Sequence, residues 1–149
     1  MSMIQQYFGL EPILVDVLKA KFGELPIYTP FSIEEMLENS NDEVSLNVIY
    51  FDDRIGDDAV QGRNSVVHQQ WLIVLCIRDA SSQLQQTNAI RTKAQPYIET
   101  LLSTMQGFDP KLVGARRFKR VNSPVRAGGK SSFCYLPFMF EIPLFIGKK

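Results

Sequence analysis

The strongest constraint in the sequence is the apolar segment Val66–Arg78. Apolar side chains fall on both faces of an extended chain here: Trp71, Ile73, Leu75 and Ile77 on one face, and Leu72, Val74 and Cys76 on the other. A strand that is apolar on both faces is typical of the centre of a sheet covered on both sides. The half that precedes Trp71 is more polar, with His68, Gln69 and Gln70, and we expect it to protrude.

Three segments carry helical signals. Apolar residues follow a three-and-four spacing from Ile13 to Phe22, which predicts an amphipathic helix that Gly23 ends. Residues 32–39 read as a short helix with Ser32 and Glu35 forming a capping box. A long helix is predicted from the turn at residues 79–82 to about residue 106, and Pro96 predicts either a kink or two abutting helices.

Three further strands are predicted by their apolar content: Ser45–Phe51, Leu112–Val121 and Phe133–Ile146. Between the first of them and the central strand, residues 54–64 are polar with two glycines and predict a long, flexible hairpin loop. Pro137 and Pro143 place the last strand at a sheet edge or at bends. The element order and the length of 149 residues predict a single α+β domain over residues 1–149, a mostly antiparallel sheet with helices packed on one face.

The net formal charge is zero, with 16 basic and 16 acidic residues, but the two signs are segregated. Residues 1–60 hold 12 acidic and three basic side chains, and residues 61–149 hold four acidic and 13 basic ones. The two charged parts have three interpretations: contact inside one fold, contact between copies arranged head to tail, or separate solvated surfaces. The zero total argues against a general nucleic-acid coat, and the densest basic cluster, residues 116–120, is a weak nucleic-acid signal.

The sequence contains few candidates for catalytic, phosphate-binding or metal-binding residues. A Ser-His-Asp arrangement would need His68, the sole histidine, which lies within the central strand. The segment Gly128–Ser132 resembles a phosphate loop in composition only, because its first glycine is missing and a strand is predicted to follow. Acidic pairs at residues 52–53 and 57–58 lack the spacing of a calcium loop. Cys76 and Cys134 lie in apolar runs and are interpreted as buried free thiols. We therefore expect no catalysis, no cofactor and no metal ion.

The end of the long helix carries a family resemblance. The chain reads Leu101-Leu102-Ser103-Thr104-Met105-Gln106-Gly107-Phe108-Asp109-Pro110 there. A helix that ends in glycine, an aromatic residue and proline in this way resembles the tail terminator proteins of long-tailed phages, including the lambda-type and Mu-like ones. The order of the other elements also agrees: the N-terminal helix, the Trp71 strand that leads into the long helix, a basic strand near Arg116 and the aromatic strand 135–142. The resemblance therefore spans nearly the whole chain.

This resemblance implies a structural virion protein. It implies a homo-hexameric ring at the head-proximal end of the tail tube, which ends tube polymerisation and offers a surface for head–tail joining. The implied partners are further copies of the chain, the major tail tube protein and head-side neck or connector proteins. DNA would pass through the ring lumen without sequence-specific binding. Assembly would occur in the bacterial host cytoplasm, and no membrane contact is expected since no apolar run is long enough to span one.

Two sets of residues are candidates for these contacts. The candidate subunit, tube or lumen interface consists of Arg116, Arg117, Lys119, Arg120, Arg126 and Lys130. The candidate partner-contact loop contributes Asp52, Asp53, Arg54, Asp57, Asp58 and Arg63. Solvated surface remains the alternative for each set. Two other functions stay open: a neck, head–tail adaptor or tail completion protein of similar subunit fold, and a small enzyme with an unrecognised site.

Overall fold

The structure, a computed structural model, describes residues 3–39, 41–59, 62–78, 88–130 and 133–147. Its elements in chain order are α1 (Leu10–Phe22), β1 (Ile27–Tyr28), α2 (Ile33–Asn39), β2 (Val44–Ala59), β3 (Asn64–Arg78), α3 (Asn88–Met105), β4 (Lys119–Val121), β5 (Gly128–Lys130) and β6 (Phe133–Gly147). The predicted fold class, a single α+β domain with a mostly antiparallel sheet, is confirmed.

The sheet has the order β1-β2-β3-β6-β4, and β5 also pairs with β6. Only β1 and β2 are parallel; every other pair is antiparallel. Strand β3 is central, as predicted, and β6 pairs with it from Asn64↔Gly147 to Arg78↔Phe133. A strand of 15 residues extends about 50 Å. Strands of this length extend beyond the helices. One half of the ribbon formed by β2, β3 and β6 packs against α1 and α3, and the other half extends past them.

Helices α1 and α3 cover one face of the half of the sheet that contains Trp71–Ile77. Leu10, Leu14 and Leu18 of α1 are fully buried and share one core with Trp71 and with α3. The three leucines recur every four residues, so one helix face meets the sheet. Short helix α2 lies on the opposite face, where Met36 joins a second core around Leu72, Val74 and Cys76. The expected packing on one face thus describes α1 and α3, and α2 adds a smaller cover on the other.

The predicted hairpin loop over residues 54–64 is wrong for residues 54–59; residues 62–63 form a turn, and residues 60–61 lie outside the described residues. Strand β2 continues to Ala59, and β3 begins at Asn64, so residues 54–55 and 58–59 pair with β3. Two register shifts, between Tyr50 and Asp52 and between Ile55 and Asp58, accommodate the polar residues in the ladder. Pairing with a strand that is itself held by β6 outweighs the low strand propensity of these residues.

The predicted strand over residues 112–121 is also largely wrong, because only Lys119–Val121 forms a strand. Before it, Gly114 adopts a positive φ of 84° and allows only an isolated bridge between Ala115 and Leu144. A Cβ on Gly114 would lie 2.2 Å from the backbone nitrogen of Ile4. Glycine is required here both by its φ and by the N-terminal segment that crosses it.

Both prolines of β6 lie where a missing N–H costs little. The carbonyl of Pro143 accepts a bond from the Arg116 N–H, so this residue directs its backbone away from β3. Pro137 is six residues earlier and has the same orientation, between the stretches of β6 that pair with β5 and with β4. The predicted edge position is wrong, since β6 lies between β3 and the short strands β4 and β5. The prolines are tolerated because they face the outer side of β6 at positions that neither β4 nor β5 pairs.

Helix α3 runs unbroken from Asn88 to Met105 with Pro96 inside it, so the alternative of two abutting helices is wrong. Pro96 has no N–H to donate to the carbonyl of Thr92. Both residues are exposed, so water can donate to that carbonyl instead. The turn predicted at residues 79–82 lies outside the described residues. No helix in the described part of the chain is long and apolar enough to cross a membrane.

Candidate functional site

The segregated charges lie at opposite edges of the sheet. The acidic edge, residues 23–43, surrounds β1 and contains six acidic and no basic residues. The basic edge, residues 111–130, lies along the outer side of β6 and contains seven basic and no acidic residues. Four inter-strand spacings, about 19 Å, separate β1 from β4. No ion pair between the described side chains joins the two edges, although Glu43 of the acidic edge pairs with Lys93 of α3.

The predicted interface cations all belong to the basic edge. Arg116, Arg117, Lys119, Arg120 and Arg126 are exposed, and Lys130 ends β5. Arg117 is held toward α3: its guanidinium donates to the carbonyl of Gly107 at 3.2 Å and lies 3.6 Å from the Asp109 carboxylate. The Arg120 guanidinium stacks over the ring of Phe138 at 5.3 Å from its centroid. The structure therefore brings these side chains to one edge of the sheet.

The acidic edge carries exposed apolar side chains among its carboxylates. Glu34, Glu35 and Glu38 of α2 are exposed. The Glu35 carboxylate accepts the Phe31 N–H at 2.9 Å, and the Glu35 N–H donates to the Ser32 hydroxyl at 3.1 Å. The predicted cap is thus confirmed, with the reciprocal bond made to Phe31 instead of Ser32. Phe31 itself is 90% exposed.

The residues predicted to form a partner-contact loop do not share one surface. Because side chains alternate along a strand, Asp52 and Arg54 face one side of the sheet and Asp53 faces the other. Asp57 lies in the second register shift of β2, and Asp58 pairs with Ser65. Arg63 lies in the turn before β3, where it is exposed. Five of these residues belong to β2 in a two-stranded arm, formed by residues 52–59 of β2 and 64–70 of β3, and Arg63 lies in the turn that precedes β3.

A polar cluster that the sequence does not predict lies under Arg54. The Glu141 side chain is only 3% exposed, and its carboxylate accepts bonds from the Arg54 guanidinium at 2.7 Å and the Gln70 amide at 3.1 Å. His68 Nδ1 is 3.4 Å from the same carboxylate. Burial alone would raise the pKa of Glu141, but these bonds and the positive charge of Arg54 outweigh it, and the pKa lies below its usual value.

Asp53 binds the N-terminal segment on the other side of the sheet. Its carboxylate accepts the hydroxyl of Tyr7, and the Tyr7 carbonyl accepts the Gln69 amide at 3.0 Å. Burial, followed by the hydrogen bond to Asp53, raises the pKa of Tyr50 to about 12. Asp53 and Arg54 therefore hold the arm to the N-terminal segment and to β6. The sequence offers no signal for either contact, since the partners are 46 and 87 residues apart.

The described residues contain no group of histidine, cysteine or carboxylate side chains that could hold a metal ion. His68 lies beside Glu141, on a paired strand. Cys76 is buried and Cys134 half-buried, and both are free thiols as predicted, with burial raising the pKa of Cys134. Gly128 and Gly129 form part of β5, which does not lead into a helix.

Fold and surface together define an α+β protein with one mostly antiparallel sheet whose two edges carry opposite charge. A comparison with known protein families identifies the family to which this chain belongs. The sequence model of the family described as phage tail terminator protein matches residues 29–149, from the end of β1 to the last residue. The chain therefore belongs to the phage tail terminator family and is a structural component of the phage tail. No match was found among curated protein sequences.

Proposed function

We propose that this protein forms a homo-hexameric ring on the head-proximal end of the tail tube. The ring ends tube polymerisation and presents its other side to the head-side neck or connector proteins. Assembly takes place in the cytoplasm of the bacterial host, and DNA passes through the lumen without sequence-specific contacts. The observation that carries the proposal is the family match over residues 29–149.

The distribution of charge supports a ring. Contacts that join two different surfaces of one protein generate closed rings when the rotation between copies closes. An acidic edge and a basic edge on opposite sides of one sheet are two such surfaces. Complementary potentials speed the encounter of the correct surfaces and oppose the pairing of like edges. The basic edge therefore serves as a subunit interface, and its outermost side chains remain candidates for the tube or the lumen.

The arm formed by β2 and β3 suits contact with the tube or the neck. It extends beyond the part of the sheet that α1 and α3 cover, and Asp52, Arg54 and Ile55 are exposed on it. The Asp53–Tyr7 hydrogen bond and the Arg54–Glu141 pair fix the base of the arm, so a partner that binds the exposed residues there does not incur the entropic cost of ordering them.

Tube capping tests the proposal. The major tail tube protein of the same phage is polymerised with and without a substoichiometric amount of this protein, and tube lengths are measured by negative-stain electron microscopy. We expect shorter tubes with gold-labelled protein at one end only. Unchanged tube lengths with no end label would contradict the proposal. Binding to neck proteins without binding to tubes would favour the adaptor alternative.

A further inference from the structure

An aromatic side chain projects from the acidic edge with its backbone fixed. Phe31 is 90% exposed, between β1 and α2. The Glu35 carboxylate holds the Phe31 N–H, and the Ser32 hydroxyl caps the same helix turn, so the chain that carries the ring is ordered. Tyr28 and Leu37 on the same edge are 47% and 40% exposed. Preorganised aromatic side chains of this kind act as anchors in protein interfaces.

The basic edge contains an open cleft lined by both apolar and polar groups. The cleft has a volume of about 470 Å³ and opens where β4 has ended and β5 has not begun to pair with β6. Pro137 and Phe138 supply apolar surface above the buried Met139, and Arg120 and Ser123 supply polar groups. The Arg120 guanidinium already stacks on Phe138, so cation and ring lie together at the opening.

The charges around the two features are complementary. Glu34 and Glu38 are exposed on α2 beside Phe31, and Lys119 and Arg120 are exposed beside the cleft. A second copy of this chain therefore offers Phe31 an apolar cleft with basic side chains beside it. It likewise offers the cleft an aromatic ring with acidic side chains beside it. Because the two features lie on opposite edges of one sheet, a single subunit cannot bring them together.

We propose that Phe31 of one subunit inserts into the cleft between β4 and β5 of the next subunit, with Glu34 and Glu38 facing Lys119 and Arg120. Each subunit donates one Phe31 and receives one, which is a head-to-tail contact. The inference rests on the proposed ring and names its subunit contact. Salt weakens the contact, since the charges around the ring are exposed.

Two variants that each lose one side of the contact test it. Phe31→Asp removes the aromatic anchor and leaves the cleft, and Arg120→Glu alters the cleft and leaves the anchor. We expect each variant alone to be monomeric by sedimentation velocity, with the dissociation constant of the contact raised at least about 30-fold. We expect their mixture to form a one-to-one dimer, since one intact contact is available. Circular dichroism confirms that each variant is folded.

A matched control comes from α1, outside both candidate sets. Lys21→Glu makes the same kind of charge reversal as Arg120→Glu at an exposed position and should assemble like the unaltered protein. Variants of Phe31 and Arg120 that assemble normally, or a mixture that stays monomeric, would overturn the inference while tube capping still decides the proposed function. An unaltered protein that remains monomeric at every concentration would also overturn it, because the contact would be absent between free subunits.

Discussion

Replacement of Trp71 tests the assignment of the core. Trp71 is fully buried on β3, its ring lies edge to face with Tyr50 at 5.6 Å, and its indole N–H donates to the Gln69 side-chain oxygen at 2.8 Å. Truncation of a buried tryptophan to alanine costs about 3–5 kcal/mol of unfolding free energy, since the cavity refills only in part. The loss of the indole also leaves the buried Gln69 oxygen without its donor, which costs about 1–3 kcal/mol.

A second variant separates the two contributions. Trp71→Phe keeps an aromatic ring in the core but removes the N–H, so we expect a loss of about 1–3 kcal/mol, well below that of Trp71→Ala. Phe31→Ala is the matched control, because truncation of a 90% exposed ring should change stability by less than about 0.5 kcal/mol.

Urea unfolding followed by far-ultraviolet circular dichroism measures these differences. The dichroism signal is needed because Trp71 is the sole tryptophan, and its fluorescence is lost in both variants. The measurement is best made near 15 °C, where stability is close to its maximum. A Trp71→Ala variant within 1 kcal/mol of the unaltered protein would refute the core assignment. Equal losses for Trp71→Phe and Trp71→Ala would refute the cavity contribution.

Two further predictions concern charge. Arg117→Glu with Arg120→Glu should weaken self-assembly but leave the monomer folded, since both side chains are exposed and surface ion pairs add little stability; an unchanged oligomer mass by light scattering would contradict this. Glu141→Gln should destabilise the protein at pH 7. Because the folded pKa of Glu141 is lowered, its contribution is present above the unfolded pKa of about 4.3 and is lost as pH falls through the folded value. The urea midpoints of the two proteins should therefore converge as the pH is lowered below the unfolded pKa. Parallel midpoint curves would exclude a role for this carboxylate.

The sequence predicts the elements whose periodicity is long and regular. The two apolar faces of Val66–Arg78 identify the central strand, and the three-and-four spacing identifies α1 and most of α3. Strand β1 has only two residues, too few for any period to show, and its place depends on parallel pairing with β2.

The ends of the strands follow from long-range pairing instead of local pattern. Residues 54–59 are polar and include Gly56, so their composition favours a loop. They are a strand because β3 is held by β6 along its whole length and offers them a template. The opposite occurs before β4, where an apolar stretch favours a strand but does not form one. Gly114 and the crossing N-terminal segment keep this stretch out of the sheet.

The candidate interface, too, is predicted from the sequence only in part. Sequence counts reveal that the charges are segregated, but only the strand order places them at opposite edges, since β6 comes between β3 and β4. The Phe31 anchor has no periodic signal, because it belongs to the short connection between β1 and α2. Its cleft combines residues from β4, β6 and the turn after β4, which no local pattern connects.

Charge balance explains why a closed ring would be preferred over an open filament. An open stack of subunits leaves one acidic edge and one basic edge exposed at its ends, whereas in a ring every acidic edge meets a basic one. The chain carries no net charge, so closure removes these unpaired edges without accumulating repulsion as subunits are added. The angle between successive subunits would then be set by the twist of the sheet that separates its two edges. Apolar cores cover both faces of that sheet and would hold this angle fixed, and a fixed angle would favour one subunit number over others.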